Sequence, residues 1–317
     1  MLAFFRVLSR LPLRVLHAAG VLAGLAAYAL SGAYRGKLRR HLALAGYPRS
    51  LRGAAAREAG RLVGELPFVW FRPLAEVAAR VRCDDVAVVD AAERSGRGLL
   101  FLTPHLGSFE VTARWYSARR PITVMFKPPR QPALARVMAA ARSGPTMRSV
   151  PAALAGVRAM LRALRRGEAV GLLPDQVPGA GEGRWAPFFG QPAYTMTLPL
   201  RLAQASGAVV VLAVGERLPG GRGWRLHLER LDEAPGPVAL NAAMERLIRR
   251  FPAQYLWGYN RYKAPSGAAA ASRPDGAVPP AGWPGVGRAG PCGRGRPGRA
   301  VRRTSGGDGP SGPGGPD

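Results

Sequence analysis

Apolar positions along this chain follow two rhythms, and the change between them falls near residue 84. Residues 1–14 are apolar with Arg6, Arg10 and Arg14 interspersed, and Pro12 interrupts them. Residues 15–34 carry no formal charge, and Arg35, Lys37, Arg39 and Arg40 follow. Twenty uncharged residues match the length of a bilayer span. A cleaved signal peptide and a helix lying in the interface fit the same pattern. Basic residues stand on both flanks, so the positive-inside rule favours neither orientation. Residues 1–40 are therefore read as an apolar membrane-associating segment, spanning or surface-lying. Residues 41–82 read as helical through Leu51, Ala55, Leu62 and Leu66, ending in the aromatic cluster Phe68, Trp70 and Phe71.

From Asp84 onward, short apolar runs alternate with amphipathic stretches. The pattern predicts strands over 86–89, 99–102, 122–126, 168–173, 208–214 and 224–231. Helices are predicted over 132–142, 152–166, 198–206 and 241–250. Such alternation implies an α/β fold with a largely parallel central sheet flanked by helices. Ligands of such sheets sit off the carboxyl ends of the strands. His105, Lys127 and Asp175 each follow directly on a predicted strand end. After Lys263 the composition shifts to Gly, Pro, Ala, Ser and Arg, too poor in large apolar side chains to offset ordering. The division expected is an anchoring segment 1–40, a folded domain 41–263 and a disordered basic tail 264–317.

Charge narrows the partners. The chain has 46 Lys+Arg against 19 Asp+Glu, a formal net charge of +27, which calls for an acidic partner. Nucleic acid is disfavoured: the arginines are spread along the chain, with no zinc finger, basic zipper or RNA-binding aromatic signature. The two cysteines, Cys83 and Cys292, support neither a disulfide framework nor a thiolate metal site. They fit a reducing, cytosol-facing location.

The most informative stretch runs from Gly98 to Glu110, where a buried-strand pattern stops at Pro104 and His105 follows. Glu110 lies five residues on, at the start of a predicted helix. Five helical residues turn about 500°, so the two side chains cannot share a helix face. His105 is expected on the turn with Glu110 reaching back, an arrangement that would polarise an imidazole as a general base. The plain alternative is a loop histidine and a solvated glutamate. Asp175-Gln176 ends a second strand pattern, followed by Arg184 and the Phe188-Phe189-Gly190 turn, then Thr195. Polar groups beside an apolar wall suit a substrate with a charged head and a greasy chain. Ser108 lacks the Gly-x-Ser-x-Gly elbow of a serine nucleophile. His105, Glu110, Asp175 and His227 show no metal-ligand spacing.

These blocks carry a resemblance. The His105-x4-Glu110 motif, Pro174-Asp175-Gln176, Pro187-Phe188-Phe189-Gly190 with Thr195, and Gln254-Tyr255-x-Trp257…Arg261-Tyr262-Lys263 occur in order over residues 1–263. The chain resembles the bacterial lipid A biosynthesis acyltransferases, within the lysophospholipid acyltransferase superfamily. It departs from that pattern with Ser108-Phe109 for Asn-Trp, Lys127 for Arg and His41-Leu42 for Asn-Leu. The resemblance implies transfer of a fatty acyl chain from an acyl thioester to a hydroxyl of a lipid A precursor. The donor implied is an acyl carrier protein, or in some relatives a coenzyme A thioester. His105 would be the general base, and Glu110 would fix its tautomer and stabilise the imidazolium. Substrate-binding candidates are Lys127, Arg130, Asp175, Gln176, Arg184, Phe188, Phe189, Gly190 and Thr195. Lys127, Arg130 and Arg184 are the expected phosphate contacts, whereas Arg148 reads more simply as a surface charge. No cofactor or metal is implied, and the location implied is the inner (cytoplasmic) membrane, with the domain facing the cytoplasm. A chain of charge +27 would be steered to an acidic carrier protein, a phosphorylated glycolipid and an anionic membrane. The alternatives are transfer to another lipid (a lysophospholipid, ornithine lipid or polyene-type lipid), or a non-catalytic basic protein that binds membranes or nucleic acid.

Overall fold

The computed structural model describes residues 1–126, 129, 131–142, 144–231 and 234–267. The uncharged N-terminal run is not one helix. α1 (Leu2–Ser9) ends before Pro12, whose extended backbone caps α2 (Leu13–Leu30). Ser31 then breaks the run, its hydroxyl accepting the Tyr34 N–H at 3.2 Å to start α3 (Gly32–Leu44). α4 (Leu51–Phe71) and the short α5 (Leu74–Ala78) complete the helical N-terminal quarter.

The α/β part begins with β1 (Val81–Cys83) and α6 (Val86–Arg94). The strand expected over 86–89 is thus a helix. Its buried positions Val89 and Ala92 are three apart, a helical spacing that the short Val-rich run disguised. There follow β2 (Leu99–Leu102), α7 (Phe109–Ser117), β3 (Ile122–Phe126), α8 (Pro132–Ala141) and β4 (Met147–Pro151). Next come α9 (Leu154–Arg165), β5 (Ala169–Leu172), β6 (Gly183–Phe188), β7 (Gln191–Met196) and α10 (Leu198–Ser206). β8 (Val209–Arg217), β9 (Trp224–Leu231) and α11 (Pro237–Arg250) close the sequence of elements. The expected tail lies outside the described residues from 268 on.

The main sheet has the order β1-β9-β8-β2-β5-β3-β4. β8, β2, β5, β3 and β4 are mutually parallel, β9 is antiparallel to β8, and β1 is parallel to β9. The parallel strands are covered on both faces, as such strands require. On β2, Leu100 and Leu102 pack with Met160, Leu164 and Leu202 of α9 and α10. Leu99 and Phe101, on the opposite face, meet Val89 and Ala92 of α6 and Trp115 and Tyr116 of α7. β6 and β7 form a separate antiparallel hairpin whose two-residue turn, Phe189-Gly190, has φ of 48° and 71°. Positive φ at both turn residues matches the twist of a hairpin.

Candidate active site

β2 and β5 are neighbours, and their register pairs Leu102 with Leu172. His105 and Asp175 each stand three residues beyond that pair, so the two loops leave the sheet in step. The Asp175 carboxylate then receives both the His105 backbone N–H, at 2.9 Å on Oδ2, and the imidazole Nδ1, at 2.8 Å on Oδ1. Asp175 is fully buried and His105 nearly so. Burial pushes the imidazole pKa down, but the adjacent Asp175 carboxylate outweighs it, and the net direction is up. For Asp175 burial acts upward, and His105, with the Arg261 charge, outweighs it and holds the carboxyl low.

The turn that carries His105 is braced from behind. The His105 carbonyl accepts the Leu256 N–H at 2.9 Å, and the Gly107 N–H donates to the Gln254 carbonyl at 3.0 Å. Gly107 has φ of 60°, and a Cβ there would sit 2.2 Å from the Gly215 carbonyl oxygen. Only glycine fits this crossing of the β2 loop over β8. The Tyr259 ring stacks on His105 at 5.9 Å, and Phe109 meets it edge-on at 4.7 Å. The Gln254-to-Lys263 block thus positions the histidine loop.

Glu110 does not take the place at Nδ1 expected from the motif. It sits second in α7, and its carboxylate is held by the Arg142 guanidinium at the end of α8, with Nη2 on Oε1 and Nε 3.3 Å from Oε2. Among the described residues no hydrogen bond joins it to His105. Its charge still reaches the imidazole and favours the protonated form. Arg142 went unnoticed in the sequence because it is one of many arginines and ends an ordinary helix pattern. Only folding sets it against α7.

His105, Glu110 and Arg142 line one cavity of about 460 Å³ whose other walls include Phe5, Leu66, Trp70, Met138, Leu172 and Leu198. Gln176 lies in this wall. The other candidates among the described residues do not line it. Phe188 and Phe189 are buried in the aromatic core with Tyr255, Trp257 and Tyr262, behind the site. Gly190 makes the hairpin turn, and Arg184 is exposed on β6. Thr195 is fully buried, its hydroxyl receiving Arg261 at 2.6 Å and Asn241 at 2.9 Å. Lys127 and Arg130 lie outside the described residues. Arg261, unassigned from the sequence, ties this network together through the Tyr194 carbonyl at 2.9 Å and Asn241 Oδ1 at 3.1 Å.

A doubly covered parallel sheet with a histidine-carboxylate pair at its rim, beside an apolar cavity, defines an α/β enzyme. The sequence matches the family model for bacterial lipid A biosynthesis acyltransferases over residues 2–264, and the chain belongs to that family. It is 28% identical over 209 residues to the lipid A biosynthesis lauroyltransferase of Escherichia coli K12, covering 63% of this chain and 67% of the relative. It is 27% identical over 216 residues to the lipid A biosynthesis palmitoleoyltransferase of the same organism, covering 65% and 69%. The enzyme is an O-acyltransferase.

Proposed function

We propose that this chain transfers a fatty acyl group from an acyl thioester to a hydroxyl of a lipid A precursor, with His105 as general base. The observation that carries the reading is the buried His105–Asp175 pair opening on an apolar cavity. With Nδ1 committed to Asp175, Nε2 is the nitrogen left to accept the acceptor's hydroxyl proton as that oxygen attacks the thioester carbonyl. Asp175 holds the tautomer and stabilises the imidazolium, and Glu110 adds a second negative charge near the ring. Arg142 is the cation beside His105 for the developing oxyanion. The imidazolium then returns its proton to the departing thiolate, and no acyl-enzyme is needed. The apolar walls suit the fatty chain, and the +27 charge suits an acidic carrier protein and a phosphorylated acceptor at the cytoplasmic face of the inner membrane.

The test is acyl transfer from acyl carrier protein thioesters to an under-acylated lipid A precursor, read by mass spectrometry. A gain of one acyl chain that vanishes with His105→Ala is expected. Acylation of a different lipid in a total extract would keep the chemistry and overturn the acceptor. No transfer to any lipid would overturn the reading.

A further inference from the structure

The N-terminal helix α2 has the length and composition of a membrane span, yet one stripe of it, Leu13, Leu16, His17, Gly20 and Gly24, is buried against the domain while Val15, Leu22 and Leu30 stay exposed. It lies antiparallel against α4 with glycines at the contact. A Cβ on Gly20 would stand 2.4 Å from the Gly60 carbonyl oxygen, and one on Gly24 would stand 2.3 Å from that of Ala56. From the other side, a Cβ on Gly64 would come 2.4 Å from the Leu16 carbonyl oxygen. The two backbones touch over two turns.

Polar groups lock the same contact. His17 Nε2 lies 3.0 Å from Glu65 Oε2, an oxygen that also accepts from Arg217 Nε at 2.9 Å and Trp224 Nε1 at 3.1 Å. Arg217 Nη1 donates to Glu58 at 2.7 Å, and Arg61 pairs with Glu58. This charged cluster lies beside the first half of α2, around His17. The N-terminal end of α2 is also held by the domain. Leu13 and Leu16 pack with Phe68 and Trp224, and α3 begins two residues after α2 and sends His41 Nδ1 to the Trp257 carbonyl at 2.7 Å. A helix of 18 residues is about 27 Å long, close to the hydrocarbon thickness. To cross a bilayer, α2 would have to take α4 and the Glu58–Arg61–Glu65–Arg217 cluster into the hydrocarbon.

Beside this packed helix, α1 leaves an apolar stripe unpartnered. Met1, Phe4 and Val7 are 57%, 61% and 61% exposed, three residues apart, and Arg6, Arg10 and Arg14 are exposed around them. Phe5, on the other side of α1, lines the cavity that holds His105, as does Val63, itself 65% exposed. Large apolar side chains ringed by arginines complement an anionic lipid surface.

We infer that this chain does not cross the membrane through α2: α1 lies in the plane of an anionic leaflet, with Phe4 and Val7 inserted and residues 1–40 on the same side as the catalytic domain. The cavity mouth then faces the lipid from which the acceptor is drawn. The inference rests on the proposed reading of a membrane lipid as acceptor.

The experiment uses the full chain carrying Cys83→Ser and Cys292→Ser, with a single cysteine introduced as Arg10→Cys or as Ala91→Cys in the domain. A membrane-impermeant maleimide is applied to spheroplasts and to inverted vesicles. Both positions are expected to label from one and the same side; labelling of Arg10→Cys from the side opposite to Ala91→Cys overturns the inference. In parallel, the purified chain is floated with phosphatidylglycerol-containing and phosphatidylcholine vesicles. Phe4→Glu/Val7→Glu is expected to weaken binding to the anionic vesicles by about tenfold with an unchanged melting temperature. Unchanged binding overturns α1 as the contact. Loss of lipid A acylation with both results intact would overturn the acceptor alone.

Discussion

His105 and Asp175 are 70 residues apart in sequence, yet they share two hydrogen bonds because β2 and β5 leave the sheet in step. One carboxylate fixes both the backbone of the histidine turn and the tautomer of its ring. The pairing follows from strand order and register, with no local motif joining the two residues.

Replacing Asp175 by Asn removes the acceptor for Nδ1–H while keeping the shape. The amide can donate to Nδ1 and so place the ring proton on Nε2, the wrong nitrogen for a base. Turnover is expected to fall by about 10³- to 10⁴-fold, with KM little changed. Steady-state kinetics on Asp175→Asn checks this, and a loss of less than about tenfold would remove Asp175 from the base.

The raised His105 pKa has two signs to separate. As a base the ring must be neutral, so kcat should rise with pH through a value above the ordinary ~6.5. As a contributor to stability it acts oppositely. A folded pKa above the unfolded one stabilises fully below the unfolded value, and the contribution is lost as pH rises through the folded value. The stability gap between wild type and His105→Gln, measured by urea unfolding, should therefore shrink over that window. Asp175→Asn should move the kinetic limb to lower pH.

Glu110 and Arg142 form a nearly buried pair, with side chains about a tenth exposed. Arg142→Met leaves the Glu110 carboxylate unpaired beside the imidazole and is expected to cost about 3 kcal/mol or more. Adding Glu110→Gln should restore most of that stability and none of the activity. Urea melts alongside turnover distinguish the two effects, and a stable single variant would mean that the pair carries no structural weight.

Gly60 touches the backbone of α2, where an added Cβ would stand 2.0 Å from the Gly20 carbonyl oxygen. Gly60→Ala is expected to destabilise by about 2 kcal/mol through forced separation of α2 and α4. Gly36→Ala, with open space at its Cβ, is the control and should be neutral or stabilising. A thermal melt of each variant compares them directly.

Strands were legible where burial on both faces made them continuous apolar runs, as in Leu99–Leu102 and residues 209–214 of β8. β4, Met147–Pro151, escaped because an edge strand with Arg148 and Ser149 carries no such run. The hairpin β6–β7 was visible only as its Phe-Phe-Gly turn. Its strands bury Phe188, Ala193 and Thr195, a placement set by strand pairing and packing and not by local pattern.

By itself the sequence determined the α/β class, the four ordered blocks of the family, and a histidine delivered onto a turn beyond a buried strand. These depend on local periodicity and on which residues stand beside Gly and Pro. Tertiary structure decided which carboxylate meets the imidazole, which arginine meets Glu110, and that an uncharged N-terminal run packs on α4. Each of those is a pairing between distant segments. Strand order, register and close glycine contacts choose among partners that composition leaves equivalent.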